Sequence, residues 1–97
     1  MINLSKEINN NEVIVTVGGR LDTSTALEFE GFIDECLSQA SALVIECKDL
    51  EYVSSAGLRV LLAAHKKTAG AMKLTNVCEI VMEVFEMTGF ADILTIA

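Results

Sequence analysis

The chain has 97 residues, of which 52% are hydrophobic and 22% charged, a length and composition typical of one folded domain over residues 1–97. Its 14 acidic and 7 basic side chains give a net charge of −7, which repels phosphates, so we expect no direct nucleic-acid contact and no membrane contact. Since the chain lacks both an apolar run of the roughly 18–20 residues that span a membrane and a signal peptide, we expect a cytoplasmic protein.

The beginning of the chain predicts a β-hairpin. Ile2 to Ile8 alternates loosely between apolar and polar residues, as an edge strand does, and Asn9-Asn10-Asn11 supplies turn chemistry. Val13 to Val17 then alternates with a period of two residues and ends at Gly18-Gly19. We therefore expect two strands joined by a tight turn.

The next segment changes to helical spacing. Apolar residues recur every three or four positions from Ala26 to Ala40, and acidic residues such as Glu28 occupy the opposite side. Asp22 or Thr25 is placed to cap the start of this helix, and Thr25 together with Glu28 fits a capping box.

Strands and helices alternate through the rest of the chain. The predicted elements are a strand over Ala42–Cys47, a helix over Ser55–Ala69 that stops at Gly70, a strand over Ala71–Val77, a helix over Glu79–Thr88 capped by Gly89, and a strand over Ile93–Ile96. The order β-β-α-β-α-β-α-β predicts an α/β fold with a mixed, mainly parallel sheet of about five strands. Because polar residues alternate along these strands, we expect the helices to cover mainly one face of the sheet.

Two neighbouring hydroxyls mark the segment Tyr52–Leu58, which leads into the second of these helices. Backbone N–H groups at a helix start lack partners, and the helix dipole is positive there. Ser54 or Ser55 can serve as a simple N-cap, which is the usual role of serine at such a place. A phosphate at the same place would gain N–H partners and about 0.3–1 kcal/mol from the dipole. From local physics alone, both interpretations stay open.

The residues do not assemble the parts of a hydrolase, a metal site or a phosphate-binding loop. A nucleophile elbow needs a glycine two residues before the serine, whereas Val53 precedes Ser55. His65 lies ten residues further along the same predicted helix, which is about 15 Å and beyond hydrogen-bond reach. Three cysteines form no CxxC pair, and we expect them to be structural: Cys36, Cys47 and Cys78. We therefore expect no catalytic residue, no metal site and no cofactor.

Three segments stand out by their order and spacing along the chain. They are Gly19-Arg20-Leu21-Asp22, Asp49-Leu50-Glu51-Tyr52-Val53-Ser54-Ser55-Ala56-Gly57-Leu58, and Val84-Phe85-Glu86-Met87-Thr88-Gly89-Phe90. Together they resemble the STAS domain family, and specifically the free-standing bacterial anti-sigma factor antagonists, over nearly the whole length. The resemblance implies a STAS fold and a regulatory protein that binds another protein.

That resemblance also implies a partner-switching cycle with phosphorylation at Ser55. In such a cycle the unphosphorylated antagonist binds an anti-sigma factor with serine kinase activity and frees the sigma factor. Phosphorylation releases the antagonist, and a serine phosphatase restores it. The chain departs from the family pattern at two positions, because Ser54 stands where many members have Asp and Ala56 replaces a hydroxyl residue. Ser54 is therefore an alternative phosphate acceptor.

Partner contacts are expected around Ser55, because a charge farther away than about 8 Å is screened at physiological salt. The candidate partner-binding residues are Asp22, Thr23, Ser54, Ser55, Ala56, Gly57 and Arg59. Gly57 is included because a missing side chain allows close approach, and Glu28 and Glu30 are weaker candidates. Two other functions stay open: a scaffold or subunit of a sensory or lipid-transport complex without a phosphorylation cycle, and a small enzyme or nucleotide binder.

Overall fold

A computed structural model describes residues 2–97 as a sheet of four strands with three α-helices. The elements are β1 (Ile2–Asn9), β2 (Glu12–Leu21), α1 (Ala26–Leu37), β3 (Ala42–Val53), α2 (Ser55–Lys67), β4 (Met72–Thr75) and α3 (Glu79–Thr88), followed by a 3₁₀ turn at Phe90–Asp92. The strand order is β1-β2-β3-β4, with β1 antiparallel to β2 and the other neighbours parallel. The predicted α/β fold with a mixed, mainly parallel sheet is confirmed.

The predicted hairpin forms the β1 edge of the sheet. β1 pairs with β2 from Ile2 opposite Gly19 to Asn9 opposite Glu12. The turn between them contains Asn10 at φ 61°, a left-handed conformation that asparagine tolerates better than most residues.

The two faces of the sheet differ as the alternation predicts. Val13 pairs with Leu43 and Val15 with Ile45, and these side chains share one buried core with α1, α2 and α3. On the opposite face Thr16 pairs with Glu46 and is only half-buried. Helices therefore cover mainly one face, which leaves polar groups on the other in contact with water.

The strands differ from the sequence prediction in four places. β2 continues through Gly18-Gly19 to Leu21, and β4 is shorter than the predicted Ala71–Val77, since only Met72–Thr75 pairs with β3. β3 does not stop at Cys47 but continues to Val53, because its second half pairs with the end of β2 across two register shifts. The predicted strand Ile93–Ile96 is reduced to one bridge between Ile96 and Leu74. The sheet accordingly has four strands plus this bridge, so that the predicted count of about five holds only approximately.

Helix ends follow the glycine signals. Gly70 lies at φ 86° and Gly89 at φ 81°, and Gly89 caps α3 in the left-handed conformation. α1 is shorter than the apolar spacing predicts, since it ends at Leu37 rather than Ala40.

Candidate functional site

The starts of α1 and α2 lie side by side at one edge of the sheet. β2 and β3 run parallel, and their last residues, Leu21 and Val53, are paired. The backbone N–H of Ser54 donates to the carbonyl of Leu21 over 2.9 Å. The turn that follows β2 and the start of α2 are thereby held next to each other, which brings the sequence-predicted site residues to one region.

The two serines at the start of α2 have different surroundings. Ser54 is the N-cap residue with extended backbone angles, φ −102° and ψ 178°, and its carbonyl accepts a hydrogen bond from the N–H of Leu58. Its side chain makes no capping hydrogen bond, so the interpretation of Ser54 as a side-chain cap is wrong. The Ser54 Oγ atom is buried without a hydrogen-bond partner, whereas Ser55, the first helical residue, is exposed.

Gly57 holds the start of α2 close to the end of β2. A Cβ atom at this position would lie 2.7 Å from Cγ of Leu21, 2.9 Å from Cγ2 of Val53 and 3.0 Å from the carbonyl oxygen of Leu21. Gly57 is itself buried. The missing side chain therefore serves internal packing. That it also lets a partner approach closely stays a prediction.

The first turn of α2 contains no acidic residue, whereas α1 has Glu28 and α3 has Glu79 in the same place. Three basic-type side chains occupy its last turn: His65, Lys66 and Lys67. Lys66 and Lys67 complement the negative end of the dipole, while the positive end has no carboxylate of its own. Among the α-helices of residues 2–97, the start of α2 is thus the one whose first turn lacks an anionic side chain.

Asp22 closes the turn that precedes α1. Its Oδ1 atom accepts hydrogen bonds from the N–H of Ser24 over 3.0 Å and from Oγ of Ser24 over 2.7 Å. The Ser24 hydroxyl makes the largest contribution to holding the pKa of Asp22 below its usual value. The carboxylate is therefore ionised at neutral pH and oriented by this turn.

The predicted capping box at α1 is wrong. Thr25 is the N-cap residue, but its side chain makes no capping hydrogen bond. Instead, Oγ1 of Thr25 donates to the carbonyl of Arg20 over 2.8 Å and accepts from the N–H of Asp22 over 2.9 Å. Arg20 also stacks over the ring of Tyr52 at 4.3 Å from its centroid. Thr25 therefore ties the turn to the end of β2 rather than to α1.

The sequence-predicted partner-binding residues divide by exposure. The exposed ones are Thr23, Ser55 and Arg59, the half-buried ones are Asp22, Ser54 and Ala56, and Gly57 is buried. Sequence reasoning missed Leu27, which lies in the first turn of α1 with 81% of its surface exposed. The available signal was its position off the apolar stripe of α1. Leu27 follows buried Ala26 directly, and no buried residue of α1 lies three or four positions after it.

The possible metal ligands, the cysteines and the helix lengths can be described for residues 2–97. No group of three or more His, Cys, Asp or Glu side chains there is arranged to hold a metal ion. Cys36, Cys47 and Cys78 are free thiols, and burial raises the pKa of the Cys47 thiol to about 12. No helix within residues 2–97 combines the length and the apolar character that crossing a membrane takes.

Comparison with known proteins gives consistent matches. The sequence model of the STAS domain family matches residues 3–97. The anti-sigma-B factor antagonist of Bacillus subtilis (strain 168) is 31% identical over 99% of this chain and 91% of that protein. The crystal structure of an anti-sigma factor antagonist from Mycobacterium paratuberculosis has a TM-score of 0.88 at 23% identity, and the match covers 99% of this chain and 85% of that one.

A further structural match is the Bacillus cell fate determinant SpoIIAA in its phosphorylated form. Its TM-score is 0.74 at 18% identity, over 98% of this chain and 91% of that one. At this level of identity the likeness concerns the fold. Since the family model spans residues 3–97 and the relative from Bacillus subtilis aligns over almost the whole chain, the chain belongs to the STAS domain family.

Proposed function

We propose that this protein is a cytoplasmic, non-catalytic anti-sigma factor antagonist. In the proposed cycle its unphosphorylated form binds an anti-sigma factor with serine kinase activity, and the sigma factor is released. Phosphorylation of Ser55 ends the interaction, and a serine phosphatase restores it. The observation that carries the proposal is the exposed Ser55 hydroxyl at a helix start without a carboxylate in its first turn, in a chain whose relative from Bacillus subtilis is named an anti-sigma-B factor antagonist.

Exposure favours Ser55 over Ser54 as the phosphate acceptor. A kinase must bring the γ-phosphorus of ATP within bonding distance of the attacking oxygen. Oγ of Ser54 is buried, so a kinase would reach it only after the start of α2 had moved. Ser55 needs no such movement, because it is exposed in the first turn.

The proposed modification is an ordinary phosphoryl transfer. Oγ of Ser55 forms a bond to the γ-phosphorus of ATP as the bond between that phosphorus and the β–γ bridging oxygen breaks. ADP leaves, and the hydroxyl proton passes to a base on the kinase. The phosphatase removes the phosphoryl group by hydrolysis. The oxygen of water bonds to the phosphorus as the bond between phosphorus and Oγ breaks, inorganic phosphate leaves, and Oγ takes up a proton.

Charge explains how one phosphate can act as a switch. It adds about −1.5 to −2 charges at pH 7, and in the free protein the N–H groups at the start of α2 accommodate it. Inside a protein complex the same charge loses water, and an unpaired buried charge costs several kcal/mol. Binding therefore weakens while the fold of the antagonist is retained.

The proposed docking surface surrounds Ser55. On the side of the first helix it includes Asp22 and Thr23, and along the start of α2 it includes Ser54, Ala56 and Arg59, with Gly57 setting the position of the helix from beneath. Negative charge prevails overall, since the chain has a net charge of −7. A partner with basic residues around its own contact surface fits this charge.

The test is phosphorylation by the anti-sigma factor kinase of the same host. The purified pair is incubated with ATP, and the modified residue is identified by mass spectrometry. We expect one phosphate on Ser55, none on the Ser55→Ala variant, and an unchanged stoichiometry for Ser54→Ala. Modification of Ser54 alone would overturn the assignment, and a protein that binds its partner without any modification would favour a scaffold function.

A further inference from the structure

Leu27 is a large apolar side chain that is mostly exposed to solvent. It is the second residue of α1, and 81% of its surface is exposed. Exposed leucines are common on protein surfaces, so that exposure alone assigns nothing. Its position relative to α2 and Ser55 is the second observation that bears on its role.

An ion pair shows which side of α1 faces α2. Nζ of Lys67 on α2 donates to Oδ1 of Asp34 on α1. Leu27 lies seven residues before Asp34, which is almost two full turns, so the two side chains leave α1 on the same side. Leu27 therefore points along the seam between α1 and α2.

The matching side of α2 carries small apolar residues. Ala63 and Ala56 lie four and eleven residues before Lys67, close to one and three full turns, so they share its side of the helix. Both alanines are half-buried. Because their side chains are short, this side of α2 adds little cover above the seam, and Leu27 remains 81% exposed.

The seam ends at Ser55. Both helices run back from the same edge of the sheet, so counting seven residues back from Lys67 places Val60 at the level of Leu27. Val60 is five residues from Ser55, or roughly 8 Å along the helix axis at 1.5 Å per residue. An interface of ordinary size, about 800 Å² per partner, is wide enough to cover both Leu27 and Ser55.

We propose that Leu27, Ala56 and Ala63 form an apolar seat on which the anti-sigma factor docks beside Ser55; this rests on the proposed function. The occupant is an apolar side chain of that partner, flanked by Lys or Arg. Glu28 and Glu30 lie close to Leu27 in α1 and can pair with such basic side chains. A second copy of this chain is a poorer fit, because its own net charge of −7 would repel these glutamates. In this proposal the apolar seat contributes to the affinity for the partner, and phosphorylation of Ser55 regulates the binding.

Calorimetric titration of the host's anti-sigma factor kinase, loaded with ADP so that no transfer occurs, tests the seat. We expect Leu27→Ser to raise the Kd about tenfold or more, because the partner then loses most of a buried leucine contact. Leu27→Met, which keeps an apolar side chain of similar size, should bind within about threefold of the wild type. Met87→Ser is the matched control, since Met87 is 85% exposed on α3, and its Kd should not change.

Phosphorylation kinetics separate the seat from the proposed function. With ATP, Leu27→Ser should raise the KM for the antagonist and leave kcat unchanged, because the seat contributes binding rather than chemistry. If the wild type is phosphorylated on Ser55 and Leu27→Ser behaves like it in both assays, the seat is wrong and the function stands. If the wild type neither binds the kinase nor is phosphorylated by it, the function and the seat are both wrong. An unchanged melting curve for Leu27→Ser confirms that the variant is folded.

Discussion

The starts of α2 and α3 have the same unpaired backbone N–H groups but differ in the side chains around them. α3 follows Cys78 and has the carboxylate of Glu79 in its first turn. α2 follows Ser54, whose hydroxyl makes no hydrogen bond, and its first turn is uncharged. The positive end of α3 is thus already complemented, whereas that of α2 has room for an added anion.

Packing separates the same two regions. The start of α2 is fixed against the end of β2 through Gly57 and Leu21, while the outer side of α3 carries exposed Ile80 and Met87. A helix start with a fixed backbone and no anion of its own can accept a phosphate group and lose it again, because the backbone does not need to rearrange. The comparison shows that the two helix starts differ in charge and in packing. Under the proposed function, this difference is what sets Ser55 apart from the exposed residues of α3.

Gly57→Ala should have the largest effect on stability. The new methyl group would lie within 3.0 Å of atoms of Leu21 and Val53, so we expect the free energy of unfolding to fall by about 1–3 kcal/mol. Gly31→Ala is the matched control in the middle of α1, where no atom lies within 4 Å of the added Cβ. It should raise the free energy of unfolding by about 0.5–1 kcal/mol. Urea denaturation measures both, and equal effects of the two substitutions would refute the close packing of α2.

Ser54→Ala and Thr68→Val compare the two ends of α2. Oγ1 of Thr68 donates to the carbonyl of Ala64 over 3.0 Å, so its loss should lower the free energy of unfolding by about 0.5–1.5 kcal/mol. Oγ of Ser54 is buried and makes no hydrogen bond, so its removal should leave stability unchanged or slightly increased. Thermal melts of both variants decide this, and a clear loss for Ser54→Ala would show that its hydroxyl is hydrogen-bonded after all.

Single charges should reveal the difference between the two helix starts. Ser55→Asp adds a carboxylate to the first turn of α2 and should raise the free energy of unfolding of the free protein by about 0.3–1 kcal/mol. Glu79→Gln removes the carboxylate from the first turn of α3 and should lower it by a similar amount. Both effects should shrink in high salt, because the dipole interaction is screened. Chemical denaturation at low and high ionic strength measures them; a destabilising Ser55→Asp would contradict the uncomplemented start of α2.

The smallest predicted effect concerns acid stability and lies on the open face of the sheet. Partial burial raises the pKa of Glu46, but hydrogen bonds from Asn76, Thr75 and the N–H of Lys48 outweigh it and lower the pKa below 4.5. Because the folded-state pKa is the lower one, the contribution of Glu46 to stability is present above pH 4.5 and is lost as the pH falls through the folded-state value. Glu46→Gln should therefore flatten this part of the pH profile of stability, and an unchanged profile would exclude Glu46 as its source.

Much of this architecture could be predicted from residue patterns. The alternation of Val13, Val15 and Val17 gave the central strand, and Gly70 and Gly89 marked two helix ends correctly. The position of Ser55 at the start of α2 was also predicted correctly. These features depend on the conformational preferences of neighbouring residues, and those preferences agree with the fold.

Features that depend on distant contacts were missed or misjudged. The second half of β3 contains the charged residues Lys48, Asp49 and Glu51, so it lacks the apolar alternation of a strand. It is a strand because it pairs with the end of β2. The hydroxyl of Thr25 turns back to Arg20, and no spacing rule distinguishes that from a capping box. Likewise, the burial of Oγ in Ser54 depends on how α2 meets the sheet.

The central claim is that charge at Ser55 controls partner binding without changing the fold. The most direct measurement is the Kd of the host's anti-sigma factor kinase for Ser55→Asp and Ser55→Ala, with circular dichroism to show that both are folded. We predict that Ser55→Ala binds like the wild type, whereas Ser55→Asp binds at least about tenfold more weakly, since each tenfold corresponds to about 1.4 kcal/mol and a desolvated unpaired charge costs more than that. Equal affinity of Ser55→Asp and the wild type would contradict the account.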